Sequence, residues 1–167
     1  MTTDEIITLL GLQPHPREGG YFAESYRSGE RLPGEALPRR YGGERTLATA
    51  IYYLLTRETF SRMHRLASDE VFHFYLGDPV QMLQLLPDGS GRRLTLGADL
   101  AAGMRPQLLV PRHAWQGSRL LPGGRWALLG ATVSPGFEYA DYEDGDRHAL
   151  TSAYPQCREE IEALTRP

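Results

Sequence analysis

The 167-residue chain is 41% hydrophobic and 23% charged, with a formal net charge of −3; this is the balance of an ordinary globular chain, and its length suits one domain over residues 1–167 with a core of its own. A slightly acidic chain offers no basic patch for nucleic acid or an anionic membrane surface, and no apolar run is long enough to span a bilayer. All eighteen basic residues are arginine, which excludes a Schiff-base lysine and the lysine of a phosphate-binding P-loop.

Met1–Glu5 is acidic and lacks the basic and apolar segments of a signal peptide, which points to the cytoplasm. Thr2 and Glu5 have capping-box spacing, Ile6, Leu9 and Leu10 form an apolar stripe, and Gly11 ends it, predicting a short helix. Pro14-His15-Pro16-Arg17-Glu18-Gly19-Gly20 reads as a loop. Tyr21–Arg27 reads as a strand on which Glu24 and Tyr26 alternate and could join a pocket wall, so that helix and strand fill residues 3–27. Ser28–Glu44, rich in Gly, Pro and Arg, reads as a mobile excursion.

From Thr46 to about residue 140 strand follows strand, and this stretch is expected to form the core. Thr49–Leu55 is β-branched and aromatic. Glu70–Leu76 alternates, with Glu70, Phe72, Phe74 and Leu76 on one face and Val71, His73 and Tyr75 on the other; His73 and Tyr75 are thereby assigned to the outside, at a surface or an interface. Val80–Leu86 and Arg92–Leu96 are joined by Pro87-Asp88-Gly89-Ser90-Gly91, a hairpin signal. Leu108–Val110, Trp115–Leu120 and Trp126–Val133 follow, and Glu159–Leu164 closes as a short helix. Many short strands with helices only at the ends predict a sandwich or closed barrel.

Chemistry concentrates in Ser61–Gly77. His64 precedes a loop and Glu70 begins a strand. Brought together across a barrel, they can bind a metal or act as a general base with its orienting partner; alternatively His64 caps the loop and Glu70 pairs with an arginine. Glu138–Asp146 carries five carboxylates in nine residues without the spacing of an EF-hand. Glu138 and Asp141 therefore belong either to a pocket lip or to a solvated acidic loop. Cys157 is the sole cysteine, so no intrachain disulfide forms; no base stands near it in sequence, and it reads as structural.

Ser61–Gly77 resembles the first cupin motif, G-x5-H-x-H-x3–4-E-x6-G. His64 matches the first histidine, Leu66 stands where the second would be, Glu70 matches the carboxylate and Gly77 the closing glycine. Pro111-Arg112-His113-Ala114-Trp115-Gln116 resembles the second motif, P-x-G-x2-H, with His113 in the glycine position, where φ > 0 is needed, and Gln116 in the histidine position. Together with Pro14–Phe22, Thr49–Leu55 and Ser134-Pro135-Gly136-Phe137-Glu138-Tyr139, these segments are similar to a cupin branch commonly labelled a domain of unknown function, over about residues 5–165. The resemblance implies a mainly β fold: a single-domain cupin jelly-roll β-barrel with short N- and C-terminal helices, usually homodimeric and often compared with sugar-nucleotide epimerases and isomerases.

A usual cupin metal site has three histidines and one glutamate. Leucine ligates nothing, and a glutamine oxygen suits harder cations better than zinc, copper or iron. No cofactor is therefore expected; a weak divalent metal on His64, Glu70 and Gln116 is the arrangement left open. The resemblance instead implies His64 as a catalytic base with Glu70 as its partner. Ser61 and Gln116 would hydrogen-bond a polar ligand, and Phe72 and Phe74 would floor the pocket. Three functions compete: an isomerase, epimerase or lyase acting on a small polar metabolite such as a sugar derivative; a non-catalytic cupin that binds a small ligand; and a metal-dependent oxygenase, which the missing histidines disfavour.

Overall fold

The computed structural model describes residues 1–166; Pro167, the last residue of the expected domain, lies outside them. In chain order the elements are α1 (Thr3–Leu10), β1 (Gln13–Pro14), β2 (Tyr21–Arg27), β3 (Arg31–Leu32), β4 (Arg45–Thr46), β5 (Thr49–Thr56), β6 (Ser61–Leu66), β7 (Asp69–Gly77), β8 (Val80–Leu85), β9 (Gly91–Leu96), β10 (Gln107–Val110), β11 (Trp115–Leu120), β12 (Trp126–Ser134), β13 (Tyr142–Asp144), α2 (Arg147–Ala153) and α3 (Arg158–Ala163). The predicted capping box is present on α1: the Thr2 hydroxyl accepts from the Glu5 N–H while the Glu5 carboxylate accepts from the Thr2 N–H, and Gly11 ends the helix at φ 61°.

Two antiparallel sheets face each other. One runs β1-β2-β5-β12-β7-β10 and the other β13-β6-β11-β8-β9. Alternate residues of both point inward, and Tyr53, Leu55, Phe72 and Leu129 from the first meet Val80, Met82, Leu96 and Leu120 from the second in one buried cluster. Helices cover both outer faces. Ile6 of α1 packs on Leu54 and Leu128, while Leu150, Tyr154, Cys157 and Ile161 from the C-terminal helices pack on Met63, Leu83 and Leu85. No described helix is long and apolar enough to cross a membrane.

Three expectations are corrected. Ser61–Leu66 is a strand, not the approach to a loop. Ser61 opposes Ser118 and His64 opposes Gln116 across β11, so three steps on β6 match two on β11; this bulge breaks the period-2 pattern. A second irregularity, in β7, lets Phe74 and Leu76 oppose consecutive residues of β12, Leu129 and Leu128. It turns Leu76 out to solvent and off the face of Glu70, Phe72 and Phe74. The third correction concerns Ser28–Glu44, which is an ordered excursion: it contributes β3 to a two-stranded ladder with β4 and buries Tyr41. The helix α2 gave no recognised sequence signal beyond its N-cap Asp146, whose carboxylate accepts from the Ala149 N–H (2.8 Å).

Candidate functional site

At one end of the barrel, strands β2, β5, β7 and β12 and the loops 15–20 and 135–141 enclose a cavity of about 150 Å³. Its deep end is set by the loop between β1 and β2. The His15 N–H bonds the Gly20 carbonyl (2.9 Å), and the His15 ring turns back so that Nδ1 accepts from the backbone N–H groups of Arg17 (3.3 Å) and Glu18 (2.9 Å). Because Nδ1 accepts, the proton of the neutral ring sits on Nε2, which faces Glu18 Oε1 at 3.6 Å. Burial lowers the His15 pKa and favours that neutral form. The loop is tied down by the Arg62 N–H to the Glu18 carbonyl (2.9 Å) and the Tyr53 hydroxyl to the Gly19 carbonyl (2.8 Å). Gly19 and Gly20 have φ of 98° and 68°, values that favour glycine. The result is a buried Glu18 carboxylate aimed into the barrel.

His64 lies one layer behind. It is 0% exposed, does not line the cavity, and stacks on Tyr142 with ring centroids 5.0 Å apart. Its Nδ1 sits 2.7 Å from the Arg62 carbonyl. A carbonyl only accepts, so Nδ1 carries the proton, and in the neutral ring Nε2 is then a lone pair. That lone pair accepts from Gln116 Nε2 at 2.8 Å and faces Glu18 Oε1 at 3.6 Å. The same Gln116 amide donates to Glu70 Oε2 at 3.0 Å. Glu70 lines the cavity and is almost enclosed. Burial, and after it the charge of Glu18, pushes its pKa well above the ordinary glutamate value, with the Gln116 hydrogen bond opposing.

The mouth is crossed by Arg27. Its guanidinium bonds Glu24 on its own strand (2.9 Å), Glu138 of the 135–141 loop (3.0 Å) and the Phe137 carbonyl (3.3 Å). Among the cavity-lining residues Arg27 is the one arginine against the four glutamates Glu18, Glu24, Glu70 and Glu138. Phe22, Ile51, Leu66, Val133 and Phe137 supply apolar wall.

Of the residues singled out from sequence, the cavity brings together Glu70, Glu24 and Glu138, with Gln116 and His64 immediately behind. Phe72 and Phe74 belong to the main core cluster and do not floor the cavity. Ser61 is fully buried deeper in the barrel, its Oγ without a hydrogen-bond partner among the described residues. Tyr26 is 55% exposed and points away, because a bulge at Ser25 lets Glu24 and Tyr26 oppose consecutive residues of β5, Ile51 and Ala50; Arg27 takes the inward position instead. Asp141 is not in the cavity wall: it makes a buried pair with Arg45 (2.6 and 2.7 Å). His113 has φ 64°, as the glycine position of the motif requires. His73 lies on the outer face, stacked on Tyr75 and bonded to Thr132 Oγ1 (3.1 Å).

Sequence reasoning missed His15 and Glu18 as site residues. Their signal was the quoted run Pro14–Phe22, in which two glycines after Glu18 permit a turn tight enough to fold the carboxylate inward. A cupin-type cation does not fit the donors present. Leu66 offers none, His64 Nε2 and Glu70 Oε2 already accept from one amide, and among the described residues no group of three or more His, Cys, Asp or Glu has a metal-holding arrangement.

The family described as "Cupin superfamily (DUF985)" matches residues 4–144. The uncharacterized protein YML079W of Saccharomyces cerevisiae is 30% identical over 135 residues, covering 75% of this chain and 67% of its own length. Among solved structures, a protein of Shewanella oneidensis is 36% identical with a TM-score of 0.88, over 100% of this chain and 99% of that one. A hypothetical protein from Leishmania major is 34% identical with a TM-score of 0.90, over 100% of both chains.

Proposed function

The chain belongs to the DUF985 family of the cupin superfamily, and on that footing we propose that its barrel takes a small, neutral hydroxy-carbonyl compound and moves a proton on it, as an isomerase, epimerase or lyase does. The observation that carries the proposal is that two carboxyl groups in contrasting settings, Glu18 and Glu70, line one enclosed cavity. Glu70 is held toward its protonated form by burial. Glu18 faces the N–H of His15 and the lone pair of His64, each at 3.6 Å. The carboxyl held protonated takes the acid role and leaves the base role to the other.

In the proposed step the Glu18 carboxylate removes a proton from the carbon beside a carbonyl. The electron pair of that C–H bond forms a C=C bond while the carbonyl π pair takes the Glu70 proton, giving an enediol. Glu18 then returns its proton to the former carbonyl carbon as the adjacent hydroxyl gives its proton back to Glu70, which completes the isomerisation, or to the opposite face of the first carbon, which completes an epimerisation. His64, the base expected from the motif, stands behind Glu18 with its Nε2 taken up by the Gln116 amide, so it positions the site rather than moving the proton. The cavity volume is about that of a single six-membered ring, and Glu18, Glu24 and Glu138 against one arginine, beside the protonated Glu70, disfavour phosphate esters and carboxylates.

The test is incubation in D2O with a panel of neutral hydroxy-aldehydes and hydroxy-ketones, read by NMR. Deuterium should enter at the carbon next to the carbonyl, and Glu18→Gln and Glu70→Gln should each lower the rate by about 10²–10⁴-fold. Compounds that raise the melting temperature yet exchange no proton would instead make this a non-catalytic ligand-binding cupin and would overturn the turnover proposal.

A further inference from the structure

We infer that the side-chain amide of Gln116 stands in for the cation of a metal cupin, its two N–H groups fixing the His64 imidazole and the Glu70 carboxyl in the arrangement that a metal would otherwise impose. The logic is one of lone pairs. The Arg62 carbonyl at 2.7 Å takes the Nδ1 proton of His64, which leaves Nε2 as an acceptor that something must satisfy. Gln116 lies directly opposite on β11 and presents a nitrogen there at 2.8 Å.

The second hydrogen of that nitrogen reaches Glu70 Oε2 at 3.0 Å. Glu70 belongs to β7 in the other sheet, so one amide crosslinks the two sheets through the barrel. The opposite amide orientation would set a carbonyl oxygen against the imidazole lone pair, leaving two acceptors face to face in a buried site, where unmade hydrogen bonds cost most. The orientation present leaves Gln116 Oε1 without a partner among the described residues. The two donors, rather than the oxygen, therefore decide how the amide sits.

A Lewis acid and a two-hydrogen donor make the same demand on these atoms: each takes one lone pair from the imidazole and one from the carboxyl. Leu66, in place of the second motif histidine, adds apolar wall to the cavity and no donor. Gln116 is thus a positioning residue that fixes the His64 ring and its Nδ1–H tautomer, whether or not the pocket turns a substrate over.

Two measurements test this. In the wild-type protein, 15N–1H multiple-bond NMR of the His64 ring should show the Nδ1–H tautomer with Nε2 as acceptor, and dialysis against cobalt should leave no stoichiometric metal. The double variant Leu66→His with Gln116→His should take up a full equivalent of cobalt, seen in its d–d absorption. An Nε2–H tautomer in the wild type, a full equivalent of cobalt held by the wild type, or a folded double variant that binds none would each overturn the inference. If the double variant does not fold, the wild-type tautomer and metal content decide alone.

Discussion

Glu70 is a carboxyl that folding moves away from water and toward Glu18, and its protonation is therefore coupled to stability. Its folded pKa is raised. The proton-linked stabilisation is fully present below the unfolded pKa of about 4.3 and is lost as pH rises through the folded pKa. Across that window the wild type should lose stability relative to Glu70→Gln by about 1.4 kcal/mol per pH unit, measured by urea denaturation at a series of pH values. His15 carries the opposite sign: its lowered pKa gives a contribution present above about pH 6.5 and lost as pH falls through the folded value. A parallel pH dependence in wild type and Glu70→Gln would contradict the placement of Glu70.

Asp141 makes a second residue-scale prediction. The side chains of Arg45 and Asp141 are 6% and 4% exposed, so Asp141→Ala should cost about 3–5 kcal/mol by leaving a buried cation. Glu143→Ala removes the partner of Arg65 from an exposed pair and should cost less than about 1 kcal/mol. Equal denaturation midpoints for the two variants would sink the contrast. Residue chemistry was partly legible in the sequence. His64, Glu70 and Gln116 fell on motif positions, and they do meet in space. Asp141 could not be told from its acidic neighbours, because its partner Arg45 is distant in sequence.

At the scale of elements, the turn between β1 and β2 governs the site. A Cβ on Gly20 would lie 2.7 Å from the Leu54 carbonyl oxygen, at a φ that L side chains rarely adopt. Gly20→Ala should cost about 1–3 kcal/mol and weaken binding of any pocket ligand by displacing Glu18. A variant with unchanged melting temperature and affinity would show that the turn does not hold the carboxylate. Strand positions were legible in β5, β8 and β12 from apolar, β-branched and aromatic runs between turn signals. Bulges defeated alternation at Ser25 in β2, within β6 and in β7 beyond Phe74, where each shifts the inward set by one residue. Tyr26 and Leu76 were misplaced for that reason.

For the whole molecule, the two-sheet architecture with terminal helices followed from short strands, turn signals and motif order, since hydrophobic burial leaves few ways to pair such strands. The joining of residues 15–20 to β5 and β6 did not follow: it depends on contacts between segments distant in sequence that no local pattern records. What the assembled barrel supplies is a glutamate-rich cavity, backed by an amide that bonds both the buried His64 behind it and one oxygen of Glu70 in its wall. The central claim is that Glu18 and Glu70 carry proton transfer there without a metal. It is tested most directly by measuring deuterium incorporation into a bound hydroxy-carbonyl compound before and after exhaustive treatment with a chelator. The account predicts an unchanged rate in the chelated protein and loss of exchange in Glu18→Gln; exchange that vanishes on chelation and returns with an added divalent metal would contradict it.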